Sequence, residues 1–423
     1  MKKNSKKPIL FLSYFYGVKG CCPAEWADDK IETLSDMGER IILISSLASK
    51  KCDKDNVVHF RLPSPSWTDF KYEYSEAKNN DVDISFLKLS LYFFLAFTVG
   101  NLMDLLQKIV VGGNGGGKWA WTIPCFLLSL PLSCIKRCND IFSTGGPASS
   151  HLAGSFVRYI TRKRLICELQ DPLVGKEIGR NANSSRLLAI VEKIIVKLSD
   201  KVIYVTEVAA EEARERYPNL ENKIYNIYPG SRQFNIKKES STVISKKNIT
   251  LIHLGTLYSS RNMNTIIKAI DELIDEEIIK EGQIKILNLG EIYGDIKEHH
   301  LSRSYITQEA ILPREAAVTK ANSEDVSLLI QHADERSQTT IPYKTYDYFN
   351  IGNPILGLTN SKELKKLLIN SGNISVDIDD IPRIKESLIG LLFDYGKYKA
   401  NCRNKGIDIK EQVKLLFSFE GKF

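Results

Sequence analysis

Short apolar runs alternate along the chain with stretches whose apolar residues recur every three or four positions. The first run, PILFLSYFY, is bounded by polar segments and reads as a buried strand. EWADDKIETLSDMGE places Trp26, Ile31, Leu34 and Met37 at helical spacing and stops at Gly38, which predicts a helix. ERIILISS follows as a second strand. Strand, helix and strand in that order predict a parallel sheet covered by helices. The rhythm resumes at DIFSTGG and runs through SSHLAGSFVRYITRK, RLICELQD, LLAIVEKIIVKLSD, KVIYVT and EVAAEEARERY, alternately strand and helix. Ser149 or Ser150 is the expected cap of the first of these helices.

A polar, basic stretch, PGSRQFNIKKESS, interrupts the pattern, and a second array then begins. ITLIHLGT, NTIIKAIDELIDE, IKILNLG, REAAVTKANSE, VSLLIQH, YKTYDYFN, PILGLT and SKELKKLLINS again alternate strand with helix. The expectation is an α/β chain of two Rossmann-like, doubly wound domains facing a cleft, at 1–235 and 236–400. A tail, 401–423, would pack back on the first domain. The length of 423 residues agrees with two domains of about 200 residues each.

The segment from Ile84 to Leu132 departs from the rhythm. It contains FLKLSLYFFLAFTVGNLMDLL and WAWTIPCFLLSLPLS. Lys88, Asn101 and Asp104 break the first run, so its uninterrupted part falls short of the ~20 residues of a spanning helix. Core helices, an interfacial membrane-contacting element and a span all stay open. Trp119 and Trp121 beside Lys118 fit an interface, and tryptophans also fill cores.

Composition narrows the function classes. Hydrophobic residues make up 43% and charged residues 26%, ordinary for a soluble globular protein. Among eight cysteines, Cys21 and Cys22 are adjacent, Cys134 and Cys138 are four apart, and no C-x-x-C occurs. Reduced thiols in the cytoplasm are the simpler reading. The net charge of +7 reads either as a solvated surface with a lysine excess or as attraction to anionic lipid, nucleic acid or phosphorylated substrates, and charge alone does not choose. No arginine-rich run with interleaved aromatics appears, so nucleic acid is not expected as a partner. Six histidines show no metal-ligand spacing, and no metal is expected.

Candidate chemistry concentrates after strands. In TTIPYKTYDYFNIGNPILGLT, Lys344 and Asp347 lie three apart and share one helix face. The lysine can neutralise a phosphate and the carboxylate can accept ribose hydroxyls; a surface ion pair is the alternative. In HLGTLYSSRNMNTIIKAI, a strand ends at Gly255, Arg261 sits in a polar loop, and a helix starts near Asn264. Helix amides and a guanidinium suit a pyrophosphate; a surface arginine is the alternative. In the first domain, Gly145 and Gly146 follow a strand directly, and ELQDP ends another. Asp171 could orient an acceptor hydroxyl or act as base, or simply cap the turn before Pro172. His151 is a second catalytic candidate or a surface histidine. Gly17 and Gly20 mark a loop after the first strand.

Two other motifs carry less. VGGNGGGKW resembles the start of a P-loop, with Trp119 where a magnesium-binding Ser or Thr belongs. D-x-D triplets stand at 81–83 and 377–379.

The stretch P-x-K-x-Y-x-Y-x(3)-G-x-P-I-L from Pro342 resembles the donor-binding helix of family 4 GT-B glycosyltransferases. Asp347 stands where that family carries Glu, and Thr339 where it often has a second Glu. HLGTLYSSRN resembles its pyrophosphate loop, and ILPREAAVTKANSEDVSLL the segment that holds the donor's base, near Pro313 and Arg314. Gln170 occupies the usual place of a His, with Asp171 next. In order, these pieces cover most of residues 140 to 400.

The resemblance implies a nucleotide-sugar substrate bound by Gly255, Arg261, Pro313, Arg314, Lys344 and Asp347, with no cofactor or metal required. It implies that Gly17, Gly20, Gly145 and Gly146 approach acceptor and phosphates. The implied reaction is transfer to a lipid-linked or oligosaccharide acceptor in bacterial surface-polysaccharide assembly, such as O-antigen or capsule. The implied place is the cytoplasm, with the inner-membrane surface as a candidate partner. A sugar-nucleotide epimerase and a non-catalytic scaffold on the same fold are the alternatives.

Overall fold

Parallel strands account for the short apolar runs. In a computed structural model, β1 (Ile9–Leu12), β2 (Ile41–Ser46), β3 (Val57–Leu62), β4 (Asp140–Gly145), β5 (Arg164–Leu169), β6 (Lys201–Tyr204) and β7 (Ile224–Asn226) form one sheet. Its order is β3-β2-β1-β4-β5-β6-β7. A second sheet holds β8 (Ile249–Leu254), β9 (Ile284–Leu289), β10 (Ile306–Glu309), β11 (Val326–Ile330), β12 (Ile355–Leu358) and β13 (Ile374–Val376), ordered β10-β9-β8-β11-β12-β13. The structure describes residues 6–18, 20–80, 82, 84–111, 118–175, 182–234, 246–294, 296–402 and 406–418. The expected boundary at 235/236, most of the glycine-rich run and the acids at 81 and 83 lie outside these residues.

Both sheets are doubly wound. The strand order reverses between β1 and β4 in one and between β8 and β11 in the other. Such reversals open a crevice beyond the carboxyl ends of the strands, where ligands bind in open α/β folds. β3, β7, β10 and β13 escaped the sequence reading.

The chain divides into Met1–Pro229 with Ile409–Phe423, and Gly230–Asp408. Helices of the first unit are α1 (Cys22–Asp36), α2 (Trp67–Asn79), α3 (Phe86–Val111), α4 (Thr122–Ile135), α5 (Ala148–Thr161), α6 (Ala182–Leu198) and α7 (Glu207–Arg216). Those of the second are α8 (Asn264–Asp275), α9 (Ile296–Leu301), α10 (Arg314–Ser323), α11 (Arg336–Thr339), α12 (Lys344–Ile351), α13 (Lys362–Asn370), α14 (Ile381–Phe393) and α15 (Tyr395–Asn401). The last helix, α16 (Ile409–Phe417), belongs to the first unit.

Local chemistry explains several boundaries. Pro23 opens α1, where its missing N–H costs nothing, and Gly38 follows the helix at φ +74°. Ser66 caps α2 by accepting from the Asp69 amide. The serines expected to cap α5 do not: Pro147 precedes the helix, and Ser150 Oγ instead accepts from the Tyr14 amide at 3.0 Å, tying α5 to the end of β1. In α8, Ile266, Ile267, Ile270 and Leu273 form one buried stripe.

The segment 84–132 is not core throughout. Trp121 is fully buried and donates Nε1–H to the Leu62 carbonyl at 3.1 Å. Phe86–Val110, in contrast, is a continuous helix long and apolar enough to cross a bilayer, with only 11% of its most apolar stretch buried. The polar residues that shorten the apolar run in sequence do not interrupt the helix.

Helix α16 fills the groove beside α1. Val413 and Leu416 join Ile31, Leu34 and Ile227 in one buried cluster, and the Phe417 ring lies 5.5 Å from that of Phe142. Lys201 Nζ donates to the carbonyls of Leu415 (2.6 Å) and Ser418 (3.0 Å), satisfying the helix end. Leu416→Ala is therefore expected to destabilise the first unit by about 2–4 kcal/mol through lost burial and a residual cavity. Urea denaturation measures this; a change under about 0.5 kcal/mol would show that α16 does not contribute to that core.

Candidate functional site

The reversal in the second sheet gathers charge. Strand β8 ends at Leu254, and Gly255 turns the chain at φ +106°. A neighbouring glycine, Gly290, lies so close that a Cβ on it would meet the Gly255 carbonyl carbon at 2.6 Å. Residues Tyr258 to Arg261 then close a tight turn, each donating its amide to the other's carbonyl, with Ser259 at φ +52°. The Arg261 guanidinium stands 5.7 Å above the Tyr258 ring, and the Tyr258 ring meets that of His332 edge-on at 5.3 Å. Helix α8 opens three residues after Arg261, adding its amide end to the same loop.

Lys344, at the start of α12, reaches into this place. Its Nζ donates to the Leu254 carbonyl at 2.8 Å and to His253 Nε2. The His253 tautomer follows from its other nitrogen. Asn288 Nδ2 donates to the Gly290 carbonyl, so Asn288 Oδ1 accepts the Nδ1–H of His253 at 2.7 Å. Nε2 is left as the acceptor for the ammonium. Burial, then the Lys344 and Arg261 charges, hold His253 well below the ordinary imidazole range.

The loop after β11 completes the cluster. His332 contacts Ser260 Oγ through Nδ1 at 2.9 Å. Burial first, then the charges of Arg261 and Arg336, push it down to about 4. Arg336 grips Asp334 through Nε (2.9 Å) and a terminal nitrogen (2.6 Å). That bond, with one from Ser260, keeps the carboxyl far below its usual range. Arg261, Arg336 and Lys344 thus surround a neutral His332, with Asp334 as the carboxylate beside them. A group of cations at a sheet reversal has the charge to hold an anion.

Arg314 and Asp347 lie together, but as a closed pair. Arg314 donates to Asp347 Oδ2 through Nε (3.1 Å) and to Oδ1 through a terminal nitrogen (2.7 Å). Ser231 Oγ adds a bond to Oδ1 at 2.7 Å. The guanidinium also stands at cation–π distance from the rings of Tyr343 (4.6 Å) and Phe234 (5.3 Å). A carboxylate offers about four acceptor sites, so little capacity remains for the two ribose hydroxyls anticipated for Asp347. The i,i+3 surface pair with Lys344 does not form: Lys344 turns to Leu254 and Asp347 to Arg314. Pro313 caps α10 from an exposed position just before Arg314.

In the first unit, the reversal between β1 and β4 carries the other predicted loops. Gly145 has φ +136°, and a Cβ on Gly146 would sit 3.3 Å from Asp171 Oδ2, so the carboxylate flanks the glycine turn. Gly17 and Gly20 have φ +59° and +69°, and the Gly17 amide donates to Asp28 Oδ1 at 2.8 Å.

His151 is not a surface histidine. It is fully buried, Nε2 donates to the Gly145 carbonyl at 3.1 Å, and Nδ1 meets Ser143 Oγ at 2.9 Å. Burial pushes it down to about 4. Nε2 thus braces the glycine turn, and Nδ1 ties the ring to β4. Gln170 is also buried and donates to Thr144 Oγ1 at 3.0 Å, which donates to Glu168, which pairs with Lys30 at 3.1 Å.

His253, Ser260, His332, Asp334 and Arg336 escaped the sequence reading. The polar string QHADER directly after the strand VSLLI was the available signal. It becomes informative only once β11 is known to stand beside β8.

Comparisons with solved structures agree with this architecture. HepE from Anabaena in complex with UDP matches with a TM-score of 0.59 at 12% identity, covering 96% of this chain and 98% of its own. Sucrose-phosphate synthase from Thermosynechococcus elongatus matches at 0.59 and 13%, covering 98% and 96%. A Listeria monocytogenes protein proposed to be a UDP-N-acetylglucosamine 2-epimerase matches at 0.50 and 10%, covering 97% and 95%. No family model and no curated protein sequence matches. At these identities the likeness establishes the fold, which is that of the GT-B glycosyltransferases.

Two outcomes follow. Arg314→Ala strands a buried carboxylate and should cost the second unit about 3–5 kcal/mol in urea denaturation. Removing both partners in Arg314→Ala/Asp347→Ala should cost less than the single change. An equal or larger loss would show that the pair does not act as a unit. Separately, His151 and His332 each fall from 6.5 to about 4 on folding. Their unfolded forms bind protons first as pH drops, so stability present above about 6.5 should be lost as pH falls through 4. Thermal melts across that window read the loss, and His151→Gln should flatten part of it.

Proposed function

We propose that the chain is a glycosyltransferase that moves a sugar from a nucleotide-sugar donor to a glycan acceptor. One observation carries the proposal: Arg261, Arg336 and Lys344 converge at the strand reversal of the second sheet in a GT-B fold. Such a cluster answers the chemistry of the donor. As the bond from the anomeric carbon to the diphosphate oxygen breaks, negative charge grows on the leaving diphosphate. Cations and helix amides already aimed there stabilise that charge more in the transition state than in the bound donor.

UDP is the proposed nucleotide, because HepE of the same fold holds UDP. The exposed Pro313 segment would meet the base, and Asp347, with most of its acceptor capacity taken by Arg314 and Ser231, would accept one ribose hydroxyl at most. In the first unit, Asp171 beside the glycine turn is the proposed group for orienting the acceptor hydroxyl. A lipid-linked acceptor, a role in surface-polysaccharide assembly and a place in the cytoplasm complete the reading. The fold shared with the Listeria protein keeps epimerisation as the second reading.

A panel of labelled UDP-sugars with glycan acceptors tests these readings. Transfer of label to the acceptor is expected. Release of an epimerised sugar instead would favour the second reading, and binding without turnover would mark a scaffold. Arg261→Ala should lower turnover by about 10²–10³ with an unchanged thermal melt; unaltered turnover would remove Arg261 from the site. The bound donor should also raise the melting temperature, with the logarithm of its concentration once that exceeds Kd.

A further inference from the structure

Along α3, Phe93, Ala96, Gly100 and Asp104 are spaced three and four apart and form one stripe. That stripe is fastened to α2. Phe93 meets Phe70 edge-on at 5.0 Å, and Ala96 is buried against the same cluster. A Cβ on Gly100 would lie 2.7 Å from the Trp67 amide nitrogen, so the helix touches the start of α2 backbone to side. Asp104 accepts from Ser66 Oγ (2.5 Å), the Thr68 amide (3.0 Å) and Thr68 Oγ1 (2.8 Å).

The rest of α3 faces outward and is apolar. Phe94 is 64% and Ile109 66% exposed, with Leu91, Leu102 and Leu105 between them also exposed. The apolar surface does not end with this helix. α3 packs beside α6, α6 beside α5 and α5 beside α4. Ile190, Tyr159, Ile160 and Leu127 continue the exposed apolar residues over those neighbours. This exceeds the scattered apolar residues that a soluble monomer leaves in water.

Charge indicates what covers it. The only acidic residues in α3 to α6 are Asp104 and Glu192. Asp104 is held by α2 and its cap. Glu192 is buried and accepts from Tyr204, Arg216 and Tyr217. The same helices carry Lys88, Lys108, Arg186, Lys193 and Lys197. An apolar face flanked by lysine and arginine, with its carboxylates turned inward, is complementary to anionic lipid.

We propose that the α3–α6 layer of the first unit docks on an anionic bilayer, with α3 lying in the interface rather than crossing it. Length alone would permit a span. The stripe forbids one: a spanning α3 would have to peel from α2 or draw Asp69, Glu73 and Lys71 of α2 into hydrocarbon. The proposal does not depend on sugar transfer and would hold for a scaffold.

Co-sedimentation of the full chain with phosphatidylcholine vesicles, with and without phosphatidylglycerol, tests it. Binding to the anionic vesicles is expected, weaker on neutral ones and weakened by salt. Phe94→Glu/Leu102→Glu lies on the exposed face and should keep the wild-type melt while lowering vesicle binding by about tenfold or more. Vesicle-bound protein should be released by alkaline carbonate. Failure to bind anionic vesicles, equal binding by the double variant, or retention after carbonate would overturn the proposal. So would a dimer in sedimentation that the double variant dissolves while vesicles bind neither protein.

Discussion

The hydroxyl of Tyr348 joins the end of β8 to the middle of β11 at the point where the second sheet reverses. It accepts the Leu254 amide at 2.9 Å and donates toward the Leu328 carbonyl at 3.2 Å, in a fully buried setting. Strand ends carry amides and carbonyls that their ladder leaves unmatched, and burying them unmatched is costly. Because α12 supplies this tyrosine, the first turn of that helix is brought over the end of β8. Lys344 then meets the Leu254 carbonyl, and the loops bearing Arg261 and Arg336 converge around it.

The histidines among these cations stay neutral. A protonated His253 would place a second positive charge within hydrogen-bond distance of the Lys344 ammonium, so the proton is excluded. Arg314 and Asp347 show the opposite use of the same chemistry. There the charges meet bidentately in a buried, aromatic setting and satisfy each other. One arrangement leaves a positive field; the other ties α10 to α12 and to Ser231.

In the first unit, α5 links two features. Its start follows the Gly145–Gly146 turn that His151 braces, and its end carries the exposed Tyr159 and Ile160. Fourteen helical residues span roughly 21 Å. A bilayer docked on the α3–α6 layer would stand about that far from the glycine turn. Docking and acceptor chemistry would then be set by one rigid helix.

Periodicity alone determined most of the architecture. Apolar runs marked β1, β2, β4, β5, β6, β8, β9, β11 and β12, since burial on both faces makes a parallel strand nearly continuously apolar, and helical spacing marked α1, α5, α6, α7, α8, α10, α12 and α13. Arg261 and Lys344 were legible because each stands next to a strand end or helix start. Tertiary structure alone decided their company. Arg336 and His332 join them because β11 lies beside β8, a strand order that no local pattern encodes. Asp347 turns to Arg314, 33 residues away in sequence, and not to Lys344, since a buried carboxylate takes the partner that the packed helices present. His151 and Asp104 face inward for the same reason: burial and hydrogen-bond satisfaction are properties of the assembled layers, and a single helix or loop does not contain them.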